Sequence, residues 1–173
     1  MQEIYIESLG KILQNKKKIE KELDVKINNK GKNIFIEGAP ENEFIALEIL
    51  KAMDLGFSLE NALLLKDEEI IFQIIPIREI THRCDLERIR GRIIGIQGKT
   101  LKTLKHLTGC EICLKDNQVG IIGNSEYIGE AIIALKSLIQ GSKQGNVYAR
   151  LEREGKKRRH KPYGLIKNEL KKE

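Results

Sequence analysis

Apolar residues recur at helical spacing in two stretches of the chain. Ile128, Ala131, Ile132, Leu135 and Leu138 form one set, and Ile45, Leu47, Ile49, Leu50 and Met53 form the other. Each set predicts a helix with one face laid on a sheet. Ile70 to Ile80 is apolar and β-branched and predicts a strand, with Pro76 marking an edge position or a break. Glu111 to Leu114 and Val119 to Ile122 predict two short strands about an Asp116-Asn117 turn, after which Asn124 or Ser125 is placed to cap a helix. Between these elements Arg90 to Gly109 reads RGRIIGIQGKTLKTLKHLTG. Apolar Ile93 and Ile94 precede a Gly-x-x-Gly loop, Leu101, Leu104 and Leu107 follow at helical spacing, and Thr108-Gly109 is a stop signal.

The pattern occurs twice. A shift of 85 residues, without a gap, aligns Gly10 with Gly95, Lys17 with Lys102, Ile27 with Ile112, Ile36 with Ile121 and Gly38 with Gly123. The register continues through Glu41 and Glu126, Ala46 and Ala131, Leu50-Lys51 and Leu135-Lys136, and Gly56 and Gly141. The order of elements resembles a type I KH domain, strand-helix-helix-strand-strand-helix. That resemblance implies an α+β chain of two tandem KH units, each a three-stranded sheet packed on three helices. The expected division is a first unit over 1–56, an inter-domain helical segment over 57–69, a second unit over 70–152 and a basic tail over 153–173.

Chemistry concentrates in the second unit. Gly95 and Gly98, three apart, let the backbone turn tightly and approach a ligand, and Lys99 and Lys102 occupy the first turns of the next helix. Helix-start amides, the positive end of the helix dipole and two ammonium groups together favour a sugar-phosphate chain. In KH domains such a loop clamps about four backbone nucleotides. Gly98-Lys99-Thr100 also looks like the end of a Walker loop, but that motif needs glycine five positions earlier, where Ile93 stands. A nucleotide hydrolase is therefore not expected.

Charge agrees with a nucleic-acid partner. Lys and Arg number 31 against 25 Asp and Glu, a net +6, and the pI is near 9.2. Clustering carries more weight than the total. Arg88, Arg90, Arg92, Lys99, Lys102 and Lys105 surround the loop, and Lys156, Lys157, Arg158, Arg159 and Lys161 gather near the end of the chain. The RNA-binding set on this reading is Arg90, Arg92, Lys99 and Lys102 on phosphates, Gly95, Ile96, Gln97 and Gly98 on the backbone, and Ile94, Ile96 and Ile112 in an apolar groove. Core packing is an equally good reading of Ile94 and Ile112. The loop region has no Phe or Tyr and the chain has no Trp, so aromatic stacking is a minor contributor and base-edge hydrogen bonds supply specificity.

The first unit reads Gly10-Lys11-Ile12-Leu13, with Leu13 where Gly98 stands in the second. A side chain there should close the approach a phosphate needs, so this unit is expected to be degenerate, a packing partner or protein-binding surface. Lys16, Lys17 and Lys18 read as a solvated helix face that adds long-range attraction.

Further marks narrow the resemblance: Gly56-Phe57-Ser58 leading to Ala62-Leu63, Arg88-Ile89-Arg90-Gly91-Arg92-Ile93-Ile94-Gly95, and Gly145-x-Val147-Tyr148. With one intact and one degenerate unit, these resemble the Dim/Pno-type two-KH proteins of small ribosomal subunit assembly, in their archaeal form. The resemblance implies binding of single-stranded RNA at the 3′ region of 16S-type rRNA or its precursor. It also implies cooperation with a Nob-type PIN-domain endonuclease and association with the alpha subunit of translation initiation factor two.

Other candidate sites are weak. Cys110 and Cys113 are three apart in a predicted strand and so point to opposite faces, which disfavours chelation. Three cysteines without a secretory signal fit a reducing cytoplasm, and no apolar run has the length of a membrane span. His82, His106 and His160 are dispersed, so neither catalysis nor a metal or other cofactor is expected. From Glu152 onward the chain is charged, with Pro162 and Gly164 interrupting any helix. It reads either as an RNA- or partner-contacting arm or as a solubilising tail.

Overall fold

The computed structural model describes residues 1–82 and 84–159. Strand β1 (Gln2–Tyr5) leads into helix α1 (Leu9–Leu23), then strands β2 (Val25–Lys30) and β3 (Asn33–Gly38) and helix α2 (Pro40–Leu55). A short helix α3 (Leu59–Ala62) and a 3-10 turn (Leu63–Lys66) follow. The second unit runs β4 (Ile70–Pro76), α4 (Ile77–Ile80), α5 (Leu86–Ile94), α6 (Lys99–Thr108), β5 (Glu111–Lys115), β6 (Gln118–Asn124), α7 (Ile128–Gln140) and α8 (Gln144–Arg159). Both sheets are antiparallel, in the orders β1-β3-β2 and β4-β6-β5. The fold is α+β with two KH-type units.

The repeat is carried by the second half of each unit. Ile27 pairs with Ile36, and Ile112, 85 residues on, pairs with Ile121. Ala46 and Leu50 on α2 and Ala131 and Leu135 on α7 are all fully buried. Both helices end on a glycine at nearly the same positive φ, 117° at Gly56 and 111° at Gly141. Glycine ends a helix there because a Cβ would be strained in that conformation.

The first halves differ. In the second unit the chain turns at the Gly-x-x-Gly loop between α5 and α6. In the first, the matching residues lie inside the continuous helix α1, which enters directly from β1 with no counterpart of α5. Ile12 is fully buried and Leu13 is exposed. The first unit therefore packs two long helices on its sheet rather than three, and Leu13 plugs nothing because there is no loop to plug.

Three further expectations change. The strand expected over Ile70 to Ile80 ends at Pro76, whose fixed φ and missing N–H start the short helix α4. The last link to the neighbouring hairpin is Ile77 N–H donating to Asn117 O at 2.8 Å. Neither Asn124 nor Ser125 caps α7. Asn124 Oδ1 instead accepts from Glu126 N–H at 2.9 Å, and Ser125 N–H donates to Glu69 O, so both shape the turn before the helix. The tail expected from residue 153 begins as helix, since α8 runs to Arg159 and seats Val147 and Leu151 in the second unit's core. Lys161, His160, Pro162 and Gly164 lie outside the described residues, as do the side chains of Arg158 and Arg159.

Strand β6 joins the two cores. Its run from Val119 to Gly123 is buried without interruption. Val119 and Ile121 face the helices of their own unit, while Ile122 belongs to the core of the first unit. A Cβ on Gly120 would run into Leu55 of the first unit and Phe57 of the segment that follows it. Phe57 also meets Phe72 of β4 edge-to-face at 6.0 Å. Polar contacts close the seam. Lys115 donates to Asp54 O at 2.8 Å and lies 3.3 Å from Glu7. Asn61 donates to Glu111 at 3.1 Å.

Two glycine substitutions separate seam packing from general sensitivity. Gly120→Val should destabilise the chain by about 1–3 kcal/mol through overpacking. Gly129→Ala, inside α7 with no atom near the added methyl, should be neutral or stabilising by up to about 1 kcal/mol. Denaturant unfolding followed by circular dichroism measures both, and equal destabilisation would refute the account of the seam.

Candidate nucleic-acid interface

The loop between α5 and α6 takes a backbone path that two glycines permit. Gly95 has φ 73° and ψ 174°, a region closed to side chains, and a Cβ there would collide with Thr100. Gln97 is left-handed at φ 53°, and Gly98 at φ 74° donates its N–H to Gly95 O at 3.2 Å. Above Gly98 there is open space for 4 Å around a would-be Cβ. Ile96 is 87% exposed at the tip, with Gln97 beside it.

Helix α6 begins immediately after, so its first amides point toward the open side of the loop. Lys99 and Lys102 lie one turn apart on its exposed surface and form no ion pair among the described residues. The positive end of α6, two unpaired ammonium groups and the open space over Gly98 form a surface suited to phosphate.

Other residues of the expected set take different places. Arg92 donates to Ser142 O at 2.6 Å, fastening α5 to the junction of α7 and α8. Arg90 donates to Asp116 O at 3.3 Å and lies 3.8 Å from Glu87, fastening α5 to the β5–β6 turn. Ile94 is 38% exposed beside the loop. Ile112 is 1% exposed. Of its two readings the core one holds, because it sits on the helix-facing side of β5 opposite Ile121.

Sequence reading missed Thr100 and Gln144. Thr100 is 4% exposed and its hydroxyl accepts from Gln144 Nε2 at 3.0 Å; the same nitrogen donates to Arg92 O at 3.1 Å. One amide from α8 thus ties the end of α5 to the start of α6, directly behind Gly95. The face that α6 buries runs through Thr100, Leu104 and Thr108, with Leu101 and Leu107 only half-buried. A four-residue spacing of threonines about a leucine was the available signal.

The cysteines divide as alternation requires. Cys110 is buried in the second core, and Cys113 faces the first unit with its Sγ 3.6 Å from Leu55 O. Burial raises the Cys113 thiol above its ordinary pKa against the nearby ammonium groups of Lys105, Lys11 and Lys115. No group of three or more His, Cys, Asp or Glu able to hold a metal occurs among the described residues. No helix among them is long and apolar enough to cross a membrane.

A sheet of this topology, a Gly-x-x-Gly turn between two helices and unpaired lysines beyond it define a KH domain of type I. The family model for the second KH domain of PNO1, described as eukaryotic-type KH (type I), matches residues 71–156. A KH domain-containing protein of Methanocaldococcus jannaschii is 31% identical over 92% of this chain and 73% of its own length. The pre-rRNA-processing protein PNO1 of Eremothecium gossypii is 31% identical over 75% of this chain, which spans 52% of that longer protein. Dim2p from Pyrococcus horikoshii OT3 superposes with a TM-score of 0.81 at 32% identity, over 88% of this chain and 99% of that one. A chain of the a/eIF2alpha–aDim2p–rRNA complex from the same organism gives 0.83 at 31% identity, over 90% and 94%. The chain belongs to the Dim/Pno-type family of two-KH proteins, in its archaeal form.

The two loop glycines should respond differently to alanine. Gly98→Ala requires only a left-handed alanine and should cost about 1–2 kcal/mol while the chain stays folded. Gly95→Ala adds the collision with Thr100 and should cost more, read by the shift in denaturation midpoint. Gln144→Ala removes the brace. Amide exchange at Gly98, Lys99 and Thr100 should accelerate while β6 amides keep their protection, and uniform acceleration would contradict a local role.

Proposed function

We propose that this chain is a non-catalytic RNA-binding factor of small ribosomal subunit assembly, which holds single-stranded RNA near the 3′ end of 16S-type rRNA or its precursor and assists its maturation. The observation that carries this reading is the open space over Gly98, at the end of a turn that only glycine permits at Gly95, followed at once by the positive end of α6 and the unpaired Lys99 and Lys102. Gly95, Ile96, Gln97 and Gly98 would hold the sugar-phosphate chain, Lys99 and Lys102 its charge, and Ile94 and Ile96 would meet bases at the rim. Arg90 and Arg92 would act mainly by fixing α5. The names of the relatives support rRNA processing, and the rRNA in the Pyrococcus complex supports the ligand class.

A docking reading stands second, favoured by the initiation-factor alpha subunit in that same complex. In it the protein places a PIN-domain endonuclease or that subunit, with RNA binding secondary. The cytoplasm is the proposed location.

Replacing Ile96 and Gln97 with aspartate keeps both glycines and sets two carboxylates where phosphates would lie. Binding of a single-stranded RNA carrying the small-subunit 3′ sequence should weaken by about tenfold or more. The slope of log affinity against log salt should flatten by about 0.7 for each phosphate the variant no longer holds. Fluorescence anisotropy against a scrambled RNA measures both. Undiminished, sequence-selective binding by the variant would sink the loop reading and favour docking.

A further inference from the structure

The restraints on the Gly-x-x-Gly loop come largely from one side. Gly95, Gln97 and Gly98 all hold positive φ, at 73°, 53° and 74°. Two backbone bonds tie this path locally, Gly95 N–H donating to Gly91 O at 2.8 Å and Gly98 N–H to Gly95 O at 3.2 Å. No side chain caps α6. The other ties run to the start of α8. Gln144, its first residue, gives one proton of Nε2 to Arg92 O at 3.1 Å and the other to Thr100 Oγ1 at 3.0 Å. The Arg92 guanidinium meets Ser142 O at 2.6 Å, so the junction of α7 and α8 holds this residue by both its side chain and its carbonyl.

Helix α8 is itself lightly anchored. Its buried residues are Val147 and Leu151, one turn apart, with Tyr148 half-buried beside them; beyond Leu151 no described residue is buried. Gly145 and Gly155 stand in the helix with open space around a would-be Cβ, and glycine weakens a helix wherever packing does not compensate. Lys156 to Arg159 set four like charges in succession at its far end. An element with few buried contacts opens well before the whole fold does. Opening of α8 withdraws Gln144 and Ser142 together and leaves the loop its two backbone bonds.

We propose that Gln144 is a positioning residue for RNA, through which holding of RNA at Gly95 to Gly98 and docking of α8 become one coupled event. This rests on the reading of the second unit as the RNA clamp, and adds a control element to it. RNA that fits only the braced loop binds less tightly in proportion to the fraction of molecules whose α8 is open. Linkage makes the effect reciprocal, so RNA on the loop must hold α8 down by the same factor. Gln144 carries the coupling because its one nitrogen bonds both flanking helices, and because Thr100 lies directly behind Gly95, where a Cβ would collide with it.

The test uses the full chain and a single-stranded RNA carrying the small-subunit 3′ sequence. Fluorescence anisotropy reads affinity, and amide hydrogen exchange reads Tyr148 to Glu152 with and without RNA. In the unaltered chain RNA should slow exchange at these α8 amides by about threefold or more. Q144A should bind RNA about three- to tenfold more weakly, the worth of one or two hydrogen bonds. It should also lose the slowing at α8 while RNA still slows Lys99 and Thr100. T100V, which keeps the bond to Arg92 O, should weaken binding by less, and Q144A/T100V by no more than Q144A alone. The control G145A adds a methyl to open space one residue along α8 and should keep affinity within about twofold. Undiminished affinity in Q144A, slowing at α8 that persists in it, or additive losses in the double variant would each overturn the proposal. Ile96→Asp with Gln97→Asp separates the two readings. If that variant loses RNA while Q144A does not, the loop reading stands and the coupling falls; if it binds as before, the loop reading falls and takes the coupling with it.

Discussion

The burial of β6 on both faces is the constraint on which the rest of the structure depends. A three-stranded sheet with helices on one side leaves its other side to water, and a small KH-type unit has little core to spare. Here the free face of the second sheet is closed by the end of α2 and by Phe57. The strand accordingly reads as continuous apolar sequence rather than alternation, as strands covered on both sides do. Gly120 is the point of closest approach, where absence of a side chain admits Leu55 and Phe57. At roughly 25 cal/mol per Å² of apolar surface removed from water, such a contact outweighs the half-exposed ion pairs around it. Lys115 with Asp54 and Glu7 sets the angle of the seam more than its strength.

A rigid seam also decides what the loop can be. The Gly-x-x-Gly turn is held from behind rather than by its own contacts. Gln144 and Ser142 fasten the two helices that flank it, leaving its outer side bare. Preorganised amides would spend little conformational entropy on the proposed binding, whereas a mobile loop would lose part of its affinity in becoming ordered. Arg92 illustrates the division: a charge that by position alone belongs to the phosphate surface is engaged by a carbonyl that holds the surface in place.

The paired β-hairpins and C-terminal helices were legible in the sequence because they depend on local periodicity and on glycines in fixed backbone states. Gly56 and Gly141 are 85 residues apart and end their helices at almost the same φ. The loop itself was legible for the same reason. What escaped was set by distant partners. Nothing near Gly10 announces that α1 runs straight through it, since a lone glycine is tolerated in a helix when Ile12 and Ile19 are anchored below. The Gln144 and Thr100 brace joins positions 44 residues apart. Ile112 could be settled only by knowing which face of β5 the helices cover, and α8 only by knowing that Val147 and Leu151 had a core to enter.

The two units share one half and differ in the other, and the difference has a physical logic. The shared half, two strands and a long helix, builds a core in both. The differing half either bends at two glycines, exposing helix-start amides to a ligand, or runs straight as α1 and exposes only side chains. A bent path requires bracing such as α8 provides, because glycines in unusual conformations favour many unfolded states. A straight helix satisfies its own hydrogen bonds and supports a neighbour. Uniting the two lets the straight unit supply the second face of β6 while the bent unit keeps its loop open, so absence of the loop in the first unit and its presence in the second are two parts of one packing solution.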